Sequence, residues 1–219
     1  MSVIIAIKDK KRHCIVCGCD SQVTCGNTKR KLTGESTKLW KHNELPFLIV
    51  GGVGSLRDIQ LVQTNEDMFH EKALFMGGID YRYMVNNFVD DLYKLMLDHN
   101  RIEILQTNIP SPNMGSSFLV AFDDTAFEVG QDGSVIEIDD FLVLGSGTEV
   151  AIGVLSNNKD KEPKQRIIEA IKACAENTIY VNNDITIMDT NILEDTEKQN
   201  EKKKSNSNKK QNKKENKEQ

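Results

Sequence analysis

Ser2 stands directly behind Met1 and ahead of the apolar, β-branched run Val3-Ile-Ile-Ala-Ile7. With Met1 removed, Ser2 carries both a hydroxyl and a free α-amine. An α-amine has a reference pKa of about 8, so it accepts a proton at neutral pH, and Ser or Thr beside such an amine is a workable nucleophile–base pair. The pair needs support. A nearby cation favours the deprotonated nucleophile, and Lys38 lies on a stretch that can pair beside the first strand. A carboxylate must hold that lysine, and Asp20 closes the partner strand. An oxyanion needs a backbone N–H, which glycine lets come close, and Gly51 is placed for it. Taken singly, Asp20 reads as a turn former, Lys38 as a solvated strand charge and Gly51 as a turn. Only the combination points to chemistry.

Other constellations are weaker. His13, His42, His70 and His99 lie in no recognisable motif, and a G-x-S-x-G nucleophile elbow is absent. Gly51-Gly-Val-Gly54-Ser55 runs from strand to helix as phosphate loops do, yet it lacks G-x-x-x-x-G-K-[ST] and the third glycine of G-x-G-x-x-G. Four of the five cysteines, Cys14, Cys17, Cys19 and Cys25, fall in a short window. Alternation on a strand puts Cys17 and Cys19 on one face and Cys14 on the other, and a second ligand pair for zinc is missing. They read as reduced thiols packed in a core.

The elements that must position these residues follow from pattern. Ser2–Lys8 and His13–Asp20 read as a buried hairpin with Asp9–Arg12 as its turn. The chain is thus expected to begin inside its own core, with no leader before it. A Gly26-Asn27 turn follows, then a polar loop over 29–34, a short strand over 36–41 and a buried strand over 47–52. Ser55 and Asp58 suggest a loose capping box for a helix carrying Leu56, Ile59 and Val62 on one face. A second helix carries Ile79, Tyr83, Val85, Phe88, Val89, Leu92, Leu95 and Met96 and ends at His99-Asn100. Strands are expected over 117–122, 126–129, 134–138 and 140–144, helices over 149–155 and 163–177, and closing strands over 179–181 and 185–187. Segregated runs of strands and helices indicate an α+β fold, two mostly antiparallel sheets between helix layers.

At 219 residues the chain suits one domain, over 1–194, with a tail over 195–219. That tail holds nine lysines against five carboxylates and no aliphatic or aromatic residue. It cannot bury enough surface to fold and is expected to be solvated. The formal net charge is −5, so the tail's net +4 leaves about −9 on the body. An acidic body argues against nucleic acid as the main ligand. No apolar run reaches the ~20 residues that span a bilayer, and no signal peptide is evident. A cytoplasmic location is the expectation.

The residues also carry a resemblance. Met1-Ser-Val-Ile-Ile-Ala-Ile7, Gly18-Cys-Asp-Ser-Gln-Val-Thr-Cys-Gly-Asn-Thr28, Thr37-Lys-Leu39, Val50-Gly-Gly-Val-Gly-Ser-Leu-Arg-Asp58, Leu144-Gly-Ser-Gly-Thr148 and Ile179-Tyr-Val-Asn182 resemble the proteasome β-subunit family, its HslV-like members most. The pieces fall in that family's order and span residues 2 to about 190. The resemblance implies a four-layer αββα N-terminal nucleophile (Ntn) hydrolase sandwich. It implies hydrolysis of unfolded polypeptides inside a homo-oligomeric ring, fed by an AAA+ ATPase unfoldase. Ser2 matches the nucleophile, Lys38 the lysine that tunes it, Asp20 the carboxylate, Gly51 the oxyanion donor and Ser146 a serine near the amine. No cofactor is required for the chemistry. A structural monovalent cation such as sodium would be held by backbone carbonyls at positions matched by Ala175, Thr178 and Val181.

The chain departs from that pattern in places. The nucleophile is Ser where Thr is usual, and Ser lacks the methyl that restrains χ1, so slower turnover is expected. The hairpin 8–13 and the stretches 65–78 and 106–114 differ in length, and the polar tail is additional. A catalytically silent ring subunit is the alternative reading. Retention of Ser2, Asp20, Lys38 and Gly51 together speaks against it.

Overall fold

The computed structural model describes residues 2–69, 78–105 and 111–191. The polar tail, and the parts of 65–78 and 106–114 whose lengths depart from the pattern, lie wholly or partly outside these residues.

Two antiparallel sheets form the centre. The first has the order β12-β1-β2-β13, from β1 (Val3–Asp9), β2 (Cys14–Asp20), β12 (Phe141–Gly145) and β13 (Ile185–Asp189). The second has the order β11-β10-β9-β6-β5, from β5 (Leu39–Lys41), β6 (Leu48–Val53), β9 (Ser117–Phe122), β10 (Thr125–Val129) and β11 (Val135–Glu137). β1 is central in its sheet, which is why it reads as apolar on both faces. Ile4 and Ala6 face the other sheet, while Val3, Ile5 and Ile7 face the helices. The cysteines follow the same alternation, Cys17 and Cys19 between the sheets and Cys14 under the helices.

Helices cover both outer faces. α1 (Leu56–Gln63), α2 (Tyr81–Tyr83) and α3 (Val89–Asp98) pack on the second sheet through Ile59, Tyr83, Leu92 and Met96. α4 (Thr148–Asn157) and α5 (Pro163–Asn177) pack on the first through Ala151, Leu155, Ile167 and Ile171. Three apolar layers, one between the sheets and one under each helix layer, make this the expected αββα sandwich.

Several local expectations change. The stretch after the Gly26 turn is not a loop from residue 29: β4 (Thr28–Lys31) pairs with β3 (Gln22–Cys25). Its side chains are exposed, so no buried face announced it. Residues 179–180 form a turn rather than the start of a strand and Val181 follows it outside regular structure, with the Ile179 carbonyl accepting from Gln22 Nε2. β7 (Glu103–Leu105) and β8 (Ser111–Asn113) form an extra antiparallel pair. Between α2 and α3, Met84–Phe88 is π-helical. Its wider i→i+5 turns keep Met84, Phe88, Leu92 and Met96 buried at four-residue steps, while Val85 is left exposed. Ser55 makes no capping bond at α1. Its hydroxyl and the Asp58 carboxylate turn instead to Arg101.

Candidate active site

The amino end of β1 lies where the two sheets meet. Ser2 is 5% exposed. Asp20, the last residue of β2, is fully buried and accepts four hydrogen bonds. Lys38 Nζ and the Val3 amide donate to Oδ1 at 2.7 and 3.1 Å, and the Gln22 and Asn182 amides donate to Oδ2 at 2.9 and 3.3 Å. Register sets this up: Ile4 pairs with Cys19 and Asp20 with Ile185, so the end of β2 lies flanked by β1 and β13.

Lys38 precedes β5 and is 1% exposed. Burial pushes its ammonium below the ordinary value, while Asp20 pulls the other way by favouring the charged form. Thr37 and Lys38 line a polar recess of about 130 Å³ with Cys19, Asp20 and Ser21. Ser146 Oγ donates to the Ser2 carbonyl at 3.3 Å. Gly145, at φ 101°, lets that carbonyl approach, since a Cβ there would overlap the Ser2 oxygen. The structure therefore brings Ser2, Asp20, Lys38 and Ser146 together.

Gly51 is placed differently from the expectation. Amides alternate between the two neighbours along a strand. The Gly52 amide donates to the Lys38 carbonyl at 2.9 Å, so the Gly51 amide faces β9, where Gly51 pairs with Leu119. That amide is turned into the sheet and is not free for an oxyanion. The same alternation turns the Gly54 amide back to the Lys38 edge, beyond the end of β5. Val53 Cγ1 lies 3.4 Å from a Cβ built on Gly145, so the end of β6 adjoins Ser2. The run of three glycines gave no means of telling which amides the sheet engages; the strand's phase shows that those of Gly51 and Gly52 are engaged.

Ala175 and Thr178 flank the carboxyl end of α5, and Val181 follows the turn. The Thr178 amide caps the Cys174 carbonyl, while the remaining last-turn carbonyls, Ala175 among them, lack an intrahelical partner. Thr178 Oγ1 is buried without a hydrogen-bond partner among the described residues. Oxygen donors at the negative end of a helix fit a monovalent cation.

Among the described residues, no helix is long and apolar enough to cross a membrane. No His, Cys, Asp and Glu cluster there could hold a metal.

No family model matches the chain. HslV of Thermosipho africanus, an ATP-dependent protease subunit, is 29% identical over 182 residues, covering 81% of this chain and 92% of that protein. The crystal structure of HslV from Trypanosoma brucei superposes with a TM-score of 0.60 at 18% identity, covering 85% of this chain and 98% of the other. BPH from Thiobacillus denitrificans gives 0.64 at 17%, covering 86% and 97%, and has also been solved in complex with epoxomicin. The chain has the proteasome-like Ntn-hydrolase fold and resembles HslV over most of its length.

Proposed function

We propose that this chain is a peptidase whose nucleophile is Ser2 once Met1 is removed. The observation that carries the reading is the buried convergence on the start of β1, with Asp20 holding both the Lys38 ammonium and the Val3 amide. Ser2 Oγ attacks the scissile carbonyl as its proton passes to the Ser2 α-amine. The oxyanion accepts from the Gly54 amide, in the role first expected of Gly51. Collapse breaks the C–N bond, the α-amine returns its proton to the leaving amine, and an ester on Ser2 remains. Water then attacks that ester, giving a proton to the α-amine; collapse breaks the bond from the acyl carbon to Ser2 Oγ, the α-amine returns the proton to Oγ, and the carboxylic product leaves. Lys38 supplies positive charge that favours the unprotonated amine and the developing alkoxide. Ser146 fixes the Ser2 carbonyl and hence the direction of the amine.

The relative is named an ATP-dependent protease subunit; with the family resemblance, this favours a working form that is a homo-oligomeric cytoplasmic ring, supplied with unfolded polypeptide by an AAA+ ATPase unfoldase. The carbonyls of Ala175, Thr178 and Val181 would hold a sodium-like monovalent cation, which would steady the loop carrying Asn182 and supply no chemistry. Residues 1–194 carry the proposed activity, and 195–219 lie outside it.

Intact mass with and without a peptide epoxyketone tests this. The expected species lacks Met1 and gains one adduct, which Ser2→Ala abolishes. Retention of Met1 would favour the silent ring subunit, and Ser2→Ala cleaving peptides as fast as the parent would remove Ser2 as the nucleophile.

A further inference from the structure

A polar cluster lies on the far side of the Gly54 turn from Ser2. Asp58 is fully buried in the first turn of α1. It accepts from Arg101 Nε at 2.6 Å and from Ser116 Oγ at 2.8 Å. Arg101 Nη2 also donates to Ser55 Oγ at 3.0 Å, and the Ser55 amide donates to Ser116 Oγ at 2.9 Å. Two distant segments, at Arg101 and Ser116, are thereby tied to the first turn of α1 and the two-residue turn before it. Arg101 reaches it because α3 stops at Asp98 and Asn100 turns the chain at φ 56°. Ser116 is fully buried just before β9.

The tie acts on Gly54 directly. Gly54 has φ 116°, and a Cβ there would stand 2.5 Å from the Gly115 carbonyl and 2.7 Å from Ser116 Oγ. The backbone is pressed against the segment that Asp58 and Arg101 hold. Fold stability alone does not call for a buried carboxylate here: a buried ion pair often breaks even against apolar packing. Fixing a backbone dipole is a use in which that rigidity matters, because an oxyanion donor misplaced by about 1 Å forfeits much of its effect.

We propose that Asp58, Arg101 and Ser116 are positioning residues that set the Gly54 amide for acyl transfer at Ser2. The proposal rests on the peptidase reading above and adds what fixes its oxyanion donor.

Ser116→Ala and Arg101→Met, in the assembled protein with Met1 removed, provide the test. The expected kcat falls roughly tenfold to a hundredfold, the scale of an oxyanion contact, with KM unchanged. Affinity for a peptide boronate, which forms a tetrahedral adduct, falls in step with kcat/KM, while binding of a product peptide holds. Arg101→Lys, which keeps the charge without the fork, recovers part of the loss. Unchanged kcat and boronate affinity in folded variants overturns the proposal. Should those variants not fold, Ser55→Ala removes one outer bond and is read the same way. An inactive parent sinks the peptidase reading by itself. The crystal structure of Ser116→Ala then judges the cluster: an unmoved Gly54 overturns it, and a displaced one supports it.

Discussion

Lys38 Nζ stands 2.7 Å from Asp20 Oδ1, with the two side chains 1% and 0% exposed. The partners are not equivalent. Asp20 also accepts the Val3, Gln22 and Asn182 amides. Among the described residues, Asp20 is the one hydrogen-bond acceptor of Lys38. Lys38→Met therefore leaves a carboxylate that keeps three donors. Asp20→Ala strands three amides and an ammonium. Breaking a buried pair costs about 3–5 kcal/mol, so Lys38→Met should fall in or below that range and Asp20→Ala at or above it. Urea midpoints at unchanged m-value check this. Equal losses would mean that the amide bonds to Asp20 contribute nothing.

Gly51 and Gly54 separate packing from chemistry. A Cβ on Gly51 would stand 2.9 Å from Leu39 Cδ1 and 3.2 Å from Ile4 Cδ1, between the sheets. Overpacking of that kind costs roughly 1–3 kcal/mol, so Gly51→Ala should lower the melting temperature while folded enzyme keeps its kcat. Gly54→Ala forces a side chain onto a left-handed backbone against the Gly115 carbonyl. It should lose kcat beyond any loss of folded protein. Active-site titration with an epoxyketone corrects each rate for folded enzyme. The reverse ranking would return the oxyanion role to Gly51.

Period carried most of the fold into the sequence. Alternation in Val3–Ile7 and around Cys14, Cys17 and Cys19 assigned faces correctly, because a central strand leaves little choice of register. The buried stripe through Tyr83, Phe88, Leu92 and Met96 was equally legible. What stayed hidden depends on partners far along the chain. Ser55 and Asp58 looked like a local cap because Arg101 and Ser116, which compete for them, lie more than forty residues away. The phase of β6, which decides between Gly51 and Gly54, needs the bond from Gly52 to Lys38. β4 has wholly exposed side chains and so no hydrophobic signal to read.

The thiols should divide four to one. Cys14, Cys17, Cys19 and Cys174 are buried and Cys25 is exposed. Native protein should react with one equivalent of a thiol reagent and denatured protein with five. Burial pushes Cys19 up to about 12 and Cys174 up to about 11, and raises Cys17 as well. Above the ordinary thiol value of 9.0 the unfolded chain loses protons that the folded chain keeps. Folding then binds protons, and stability falls as pH rises, by up to about 1.4 kcal/mol per pH unit for each thiol. Lys38 runs the opposite way, since its lowered value makes stability rise toward 10.5, but three thiols outweigh one amine. Urea midpoints at pH 8 and pH 10 should show a net decrease. A flat or rising profile would contradict the burial of these thiols.

The carbonyls at the end of α5 give the last test. Thr178 Oγ1 and the Ala175 carbonyl lie where a helix presents partial negative charge. The adjoining turn leads to Asn182, whose amide binds Asp20. A cation there would link salt identity to the lysine–carboxylate pair. A ligand that binds only the folded state at a hundred times its Kd stabilises by about 2.7 kcal/mol, which for a domain of this size raises Tm by roughly 5–10 °C. Exchanging sodium or potassium for tetramethylammonium at constant ionic strength should lower Tm accordingly. It should also slow epoxyketone labelling of Ser2, because Asp20 loses part of its mooring. Thr178→Val removes a side-chain oxygen but no carbonyl, so it should weaken the salt response without abolishing it. An identical Tm in all three salts would show that these carbonyls are satisfied by water.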